Sequence, residues 1–260
     1  MSEHVSCTVT EGIAEVRLDR RERLNALTLP MLHALVQASR RLRREPGLRA
    51  VVVTGAGPSF CSGLDIGTVL PDKAGIARAF VPQPWRGTNV FQEACWGWRR
   101  VPVPVIAAVQ GHCLGGGLQI ALGADLRFTT PDSRWSVMEG RWGLVPDMSG
   151  VHALSQLVGI ERAKRLTFEA GVLSGEEAVR VGLAGELSDD PYADALVWAQ
   201  RLRSRSPRAV AEAKRLFERS WSRGPRRTFA LERAAQLRLL AHGAGSRGTR
   251  AADRPGSRSV

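Results

Sequence analysis

The sequence lacks the features that mark several protein classes. Four Cys in 260 residues, without close regular spacing, are too few for a disulfide scaffold. No uninterrupted apolar run reaches the roughly 18–20 residues that a membrane-crossing helix requires. The first ten residues carry Glu3 and His4 and lack a basic start followed by an apolar stretch. No secretory signal is therefore expected, and the cytoplasm is the expected compartment. There is no Gly-x-Ser-x-Gly nucleophile elbow and no Walker loop. The five histidines (His4, His33, His112, His152, His242) are scattered without ligand spacing, so no metal site is expected. Lysine is scarce: Lys73, Lys164 and Lys214 stand among 37 basic residues, so Arg is favoured throughout, as a coding bias would produce.

What is present is ordinary for a globular chain. Hydrophobic residues make up 43 % and charged residues 24 %, enough to bury a sizeable core and to argue against disorder. The length suits one large domain, or one domain with a small appendage. The net charge of +12 lies wholly in residues 201–260, where 16 Lys plus Arg face 4 Asp plus Glu. Such an excess can neutralise nucleic-acid phosphates, attract a polyanionic small ligand, or be a solvated helical face with a loose tail. The coding bias points to the last. No RNA-binding signature accompanies the charge, Phe217, Trp221 and Phe229 read as core, and a nucleic-acid partner is not expected.

Along the chain, residues 6–10 and 14–18 are β-prone runs joined at Glu11-Gly12, a hairpin signal. Thr28 can cap a helix whose first turn holds Pro30 and whose stripe is Met31, Leu32, Leu35, Val36 and Leu42, stopped by Pro46-Gly47. Residues 50–54 and 101–109 read as strands buried on both faces. The stretch 67–88 shows no clear period and reads as a long loop with one short helix, a candidate lid. Residues 110–117 read as a glycine turn, 118–123 as the start of a helix, and 126–130 as a strand. From Ser149 the pattern is helical, with a capping box at Ser174-Gly175-Glu176-Glu177 and helices near 191–203, 207–222 and 226–242. Strand–helix alternation first and helices last predict an α/β core with a helical C-terminal region. The expected division is a core at 1–195, a helical region at 196–242 and a disordered basic tail at 243–260.

Two glycine turns follow buried strands: Phe60-Cys61-Ser62-Gly63-Leu64-Asp65-Ile66, and Gly111-His112-Cys113-Leu114-Gly115-Gly116-Gly117. Glycine lets backbone approach a ligand closely. A helix starting at the second turn would aim free N–H groups into the site. One N–H from each turn could converge on a single oxygen, which is the construction of an oxyanion hole.

These turns, with Val16-Arg17-Leu18-Asp19-Arg20, Leu24-Asn25-Ala26-Leu27, the run from Pro104 to Gly111, Ala124-Asp125-Leu126-Arg127 and the block from Glu139 to Pro146, resemble the crotonase superfamily, the enoyl-CoA hydratase/isomerase group. The resemblance covers about residues 5–245. It implies a ClpP-like spiral of ββα repeats followed by helices that build a homotrimer or homohexamer. It implies an acyl-CoA substrate, with coenzyme A entering as part of that substrate and no further cofactor. By position, the backbone N–H groups of Leu64 and Gly116 would be the oxyanion donors. Arg23, Leu24, Ala26, Ser62, Gly63, Asp65, Ile66 and Gly115 would line the substrate and CoA channel. Family hydratases use two glutamates. The second falls at Glu139, whereas the first falls at Gln119, an amide that cannot act as a base but can position water or substrate. Asp147, eight residues after Glu139, matches the spacing of the dienoyl-CoA isomerase branch; it can equally cap a following helix. The resemblance thus implies an enolate enzyme, with double-bond isomerisation by Glu139 and Asp147 expected first. Hydration with Gln119 holding the water, an RNA-binding member and a non-catalytic CoA-binding member are the alternatives.

Overall fold

The computed structural model describes residues 3–241 and Gly243. The chain divides into two compact units, Met1–Ser204 and Arg205–Val260. The tail expected from 243 onward lies, past Gly243, outside the described residues.

The first unit is a spiral. Its opening turn holds β1 (Val5–Thr10), β2 (Ile13–Leu18) and α1 (Leu29–Leu42). β1 and β2 pair antiparallel through Glu11 (φ 50) and Gly12 (φ 80), both left-handed, as a tight hairpin of strands with right-handed twist requires. Thr28 caps α1 by accepting from the Met31 N–H, and the predicted apolar stripe is buried. The second turn holds β3 (Ala50–Gly55), α2 (Ile66–Val69), α3 (Lys73–Phe80) and α4 (Val90–Trp96). The third holds β4 (Val105–Val109), β5 (His112–Leu114) and α5 (Gly116–Leu122). The fourth holds β6 (Leu126–Thr129), β7 (Arg134–Ser136), a 3-10 turn at Met138–Trp142, α6 (Gly150–Val158) and α7 (Ile160–Glu169). Then come β8 (Leu173–Ser174), α8 (Gly175–Val181), β9 (Glu186–Leu187) and α9 (Pro191–Arg201).

Each turn feeds two sheets. The larger has the order β1-β2-β3-β4-β6-β9 and is parallel from β2 onward. The smaller has the order β5-β7-β8, and a bridge from Cys61 to Cys113 adds the 60–66 segment to its edge. β3 and β4 are buried on both faces for a visible reason. Val51, Val53, Val105 and Ala107 face the main core with α1 and α5, while Ala50, Val52, Ile106 and Ala108 face Ala195 and Ala199 of α9.

Five sequence expectations need correction. Phe217, Trp221 and Phe229, read as core, are all exposed on the C-terminal helices and the turn between them. Residues 67–88 carry two helices, α2 and α3, each capped by an aspartate (Asp65, Asp72) that accepts from a backbone N–H three residues on. The second buried strand is shorter than 101–109, because Pro102 and Pro104 cannot donate to a ladder. The glycine turn 110–117 contains a strand, β5, whose partner β7 lies 22 residues on in register. Beyond Ser149 the pattern is helical except for the two-residue strands β8 and β9. The capping box at Ser174 and Glu177 forms as expected.

The second unit has two described helices, α10 (Pro207–Ser220) and α11 (Pro225–Ala241). Arg238 of α11 donates to Glu212 of α10 at 2.9 Å. Among the described residues no helix is long and apolar enough to cross a membrane.

Candidate active site

One asparagine fixes the first glycine turn, and close backbone contact holds the second against it. Asn25 is fully buried and left-handed (φ 57). Its Nδ2 donates to Ala56 O (3.0 Å) and Ser59 O (2.7 Å), and its Oδ1 accepts from Arg20 N (2.8 Å). This ties the 20–27 segment to the loop after β3. Leu27 N then donates to Gly63 O at 2.7 Å, and Asp65 N to Leu27 O at 2.9 Å. On the other side, a Cβ at Gly117 would sit 2.5 Å from Cys61 O, so only glycine lets α5 dock there. Gly63 (φ 99) lies so close to the third spiral turn that a Cβ on it would be 3.8 Å from Gly116 N. The N–H groups of Leu64 and Gly116 have no hydrogen-bond partner among the described residues. Gly116 is the first residue of α5, where the fold leaves donors unpaired and the helix dipole is positive.

Both residues line a cavity of about 400 Å³. Its walls are otherwise mainly apolar, and two carboxylates, Glu139 and Asp147, also line it. Glu139 is 8 % exposed, in the 3-10 turn after β7. Its Oε1 accepts from Gln119 Nε2 at 2.5 Å, and its Oε2 is buried without a partner. Burial pushes its pKa above the ordinary 4.5, the Gln119 hydrogen bond opposes this, and the charge of Asp147 adds to the rise. Asp147 is exposed, yet the protein mass around its carboxyl raises its pKa too. It does not cap α6: that helix starts at Gly150 after Ser149, and no side chain caps it.

Gln119 is 1 % exposed and acts as a three-way clamp. Its Oε1 accepts from Met148 N (2.8 Å) and Gly150 N (2.9 Å). Ser149 between them is left-handed (φ 72), which turns both N–H groups to one side. With Oε1 so engaged, the amide must present Nε2 to Glu139. A glutamate at 119 would place two carboxylates in hydrogen-bond contact, and both could not ionise.

Of the residues expected around substrate, Ser62, Gly63, Ile66 and Gly115 line the cavity. Arg23, Leu24 and Ala26 lie on the segment hydrogen-bonded to it, with Ser62 N donating to Leu24 O at 2.9 Å. Asp65 is paired with Arg20 at 2.7 Å, and that hydrogen bond holds its carboxyl below the ordinary range. Gln119 stands behind Glu139 and is absent from the cavity wall. Sequence reasoning missed Asn25 as the organiser of the first turn and Gln119 as the clamp on 148–150. Neither role has a spacing signal, because their partners are backbone groups about 30 residues away. Among the described residues no three His, Cys, Asp or Glu side chains gather into a metal-binding group.

A ββα spiral that brings unpaired amides and a buried carboxylate to one apolar cavity defines an enzyme of the crotonase fold. The chain belongs to the enoyl-CoA hydratase/isomerase family, whose model matches residues 8–251. It is 32 % identical over 213 residues to the probable enoyl-CoA hydratase echA6 of Mycobacterium tuberculosis, covering 82 % of each chain. A solved probable enoyl-CoA hydratase/isomerase from Mycobacterium abscessus superposes with a TM-score of 0.83 at 28 % identity, covering 95 % of this chain and 94 % of that one. A protein from Thermobifida fusca YX, solved in complex with CoA, gives a TM-score of 0.80 at 30 % identity, covering 94 % and 95 %.

Proposed function

We propose that this enzyme shifts a double bond along the acyl chain of an acyl-CoA thioester through an enolate, with Glu139 as the proton carrier. The family, and a relative solved with CoA, support the substrate class. A proton next to a thioester is too weakly acidic for a carboxylate to remove unaided. The N–H groups of Leu64 and Gly116 would hold the thioester oxygen as negative charge develops on it; one such donor is typically worth about 3–4 kcal/mol. Glu139, desolvated and raised, would take the proton from one carbon, and the electron pair would move along the conjugated system to the oxygen. The proton would return at a carbon further along, from Glu139 or from Asp147 on the same wall. Coenzyme A enters as part of the substrate, along the 23–26 and 62–66 segments. A homotrimer, which the resemblance implies, would give the exposed Val151, Ile160 and Phe168 of α6 and α7 a partner.

The observation that carries this reading is the state of Glu139: one oxygen is committed to Gln119 and the other is buried and unpaired. The names of the relatives favour a second reading, water addition. That reading needs Gln119 to hold water. Its oxygen already takes two backbone N–H groups and its nitrogen is engaged by Glu139, which leaves one N–H for a solvent molecule. Two assays separate the readings. Conversion of a 3,5-dienoyl-CoA to the conjugated 2,4-dienoyl product raises absorbance at longer wavelength, and this is the expected activity. Loss of enoyl absorbance with crotonyl-CoA as the sole activity would establish hydration instead.

The pH profile tests the proton carrier. A base must be ionised, so activity falls as pH drops through the pKa of Glu139, which lies above 4.5. Gln119→Met removes the hydrogen bond that favours the charged form. The acid limb of kcat against pH should then move to higher pH. It also strands the N–H groups of Met148 and Gly150, at about 1–3 kcal/mol each in urea unfolding. An unmoved acid limb would show that Gln119 has no hold on the base.

A further inference from the structure

We propose that this cavity accepts an uncharged hydrocarbon acyl group of medium length, and that Phe80 and Phe91 are the stop that sets its length. The inference rests on the acyl-CoA reading above. Among the described residues the cavity wall holds no Arg, Lys or His, and its two charged side chains are both carboxylates. An acyl group ending in a second carboxylate would lose its water, meet no cation and face two like charges. The polar groups of the wall lie on the segments 62–64, 114–116 and 138–148, whereas α3 and α4 contribute Ile76, Phe80 and Phe91 only. In the proposed pose, a thioester anchored at Leu64 and Gly116 sends its tail toward α3 and α4, the side of the wall without a polar side chain. The cavity, about 400 Å³, is of limited size, and the rings of Phe80 and Phe91 stand on its α3–α4 side.

The stop is a pair of rings with centroids 5.0 Å apart and planes at 47°. Phe91 is buried on α4, and Phe80, half-exposed, ends α3. The chain after Phe80 is clasped. Glu93, 0 % exposed, accepts from Arg86 (2.5 Å), Thr88 (2.7 Å) and Arg100. Burial alone would raise its pKa, but those donors hold it below the ordinary range, so the cluster stays ionic at neutral pH. Arg40 donates to Gln83 at 2.5 Å, and Gln83 N to Thr88 O at 2.9 Å. Residues 81–88 are thus tied to α1 and α4, which fixes the backbone that follows Phe80.

Saturated acyl-CoA thioesters bind without reacting, so calorimetric titration into the full chain tests the stop apart from the chemistry. Octanoyl-CoA should bind more tightly than butyryl-CoA, since each added methylene gains about fourfold until the wall is reached. Hexadecanoyl-CoA should bind about tenfold more weakly than octanoyl-CoA, and suberyl-CoA, with its terminal carboxylate, about 100-fold more weakly. Phe91→Ala should raise the hexadecanoyl-to-octanoyl affinity ratio about tenfold. Phe80→Ala, at a half-exposed ring, should move it the same way and answers the question should Phe91→Ala fail to fold. An unchanged ratio in Phe80→Ala, or suberyl-CoA binding as tightly as octanoyl-CoA, would overturn the inference. Failure of every thioester to bind would overturn the acyl-CoA reading itself, and this inference with it.

Discussion

Glu139→Gln is expected to lower turnover by about 10²–10⁴-fold while leaving the affinity for butyryl-CoA within about twofold, the loss typical of a missing general base. The substitution is close to isosteric, and the new amide oxygen can still accept from Gln119 Nε2, so the wall keeps its shape. What it removes is the site for the proton. Measured kcat beside a calorimetric Kd decides the matter. Turnover that survives would hand the proton to Asp147 or to water. Loss of turnover together with loss of binding would make Glu139 a structural residue. Full binding with no turnover in the unmodified chain would identify a CoA-binding member that has abandoned catalysis.

The second large effect concerns a donor with no side chain. Gly116 opens α5, and proline is well tolerated at the first position of a helix because its missing N–H would be unpaired there anyway. Gly116→Pro should therefore keep the helix and delete one of the two amides proposed to hold the thioester oxygen, with kcat falling about 10²–10³-fold. Added bulk needs its own control, since a Cβ here would sit 3.1 Å from Met148 Sδ and 3.2 Å from Leu27 Cδ1. Gly116→Ala controls for the Cβ, with the N–H retained, and an unchanged butyryl-CoA Kd in Gly116→Pro controls for the ring carbon that replaces the N–H hydrogen. If Ala costs as much as Pro in kcat, crowding is the cause and the amide carries no charge stabilisation.

The spiral's main strands and its two glycine turns were legible because their signals are local. A run such as Ala50 to Thr54 has no polar side to show solvent, and Glu11-Gly12 can be little other than a tight turn. Thr28, Pro30 and the stripe from Met31 to Leu42 likewise announce α1 within one window. The second sheet was not legible. β5 and β8 are three and two residues long, and each exists because a partner from another turn of the spiral passes alongside. The helices of 67–88 were hidden for a related reason: each is short, capped by its own aspartate, and buries little. Glu139 was visible as a carboxylate between Trp135 and Trp142, but its pairing with Gln119 was not. That pairing depends on Ser149 adopting a left-handed backbone, which brings two amides onto the far side of the glutamine.

The order in which the sheet is strung has a consequence for biosynthesis. Position 64 sits in the second turn of the spiral, 116 in the third, 139 and 147 in the fourth, and every neighbouring pair of strands in the larger sheet after the first hairpin runs parallel, each closing a long loop. Such topologies assemble slowly, since loop entropy is spent before any contact returns it. On the ribosome the first amide leaves the exit tunnel more than eighty residues ahead of Asp147, with nothing yet to act on. The groups at 64, 116, 139 and 147 therefore come together around one cavity only after the fourth turn has been made.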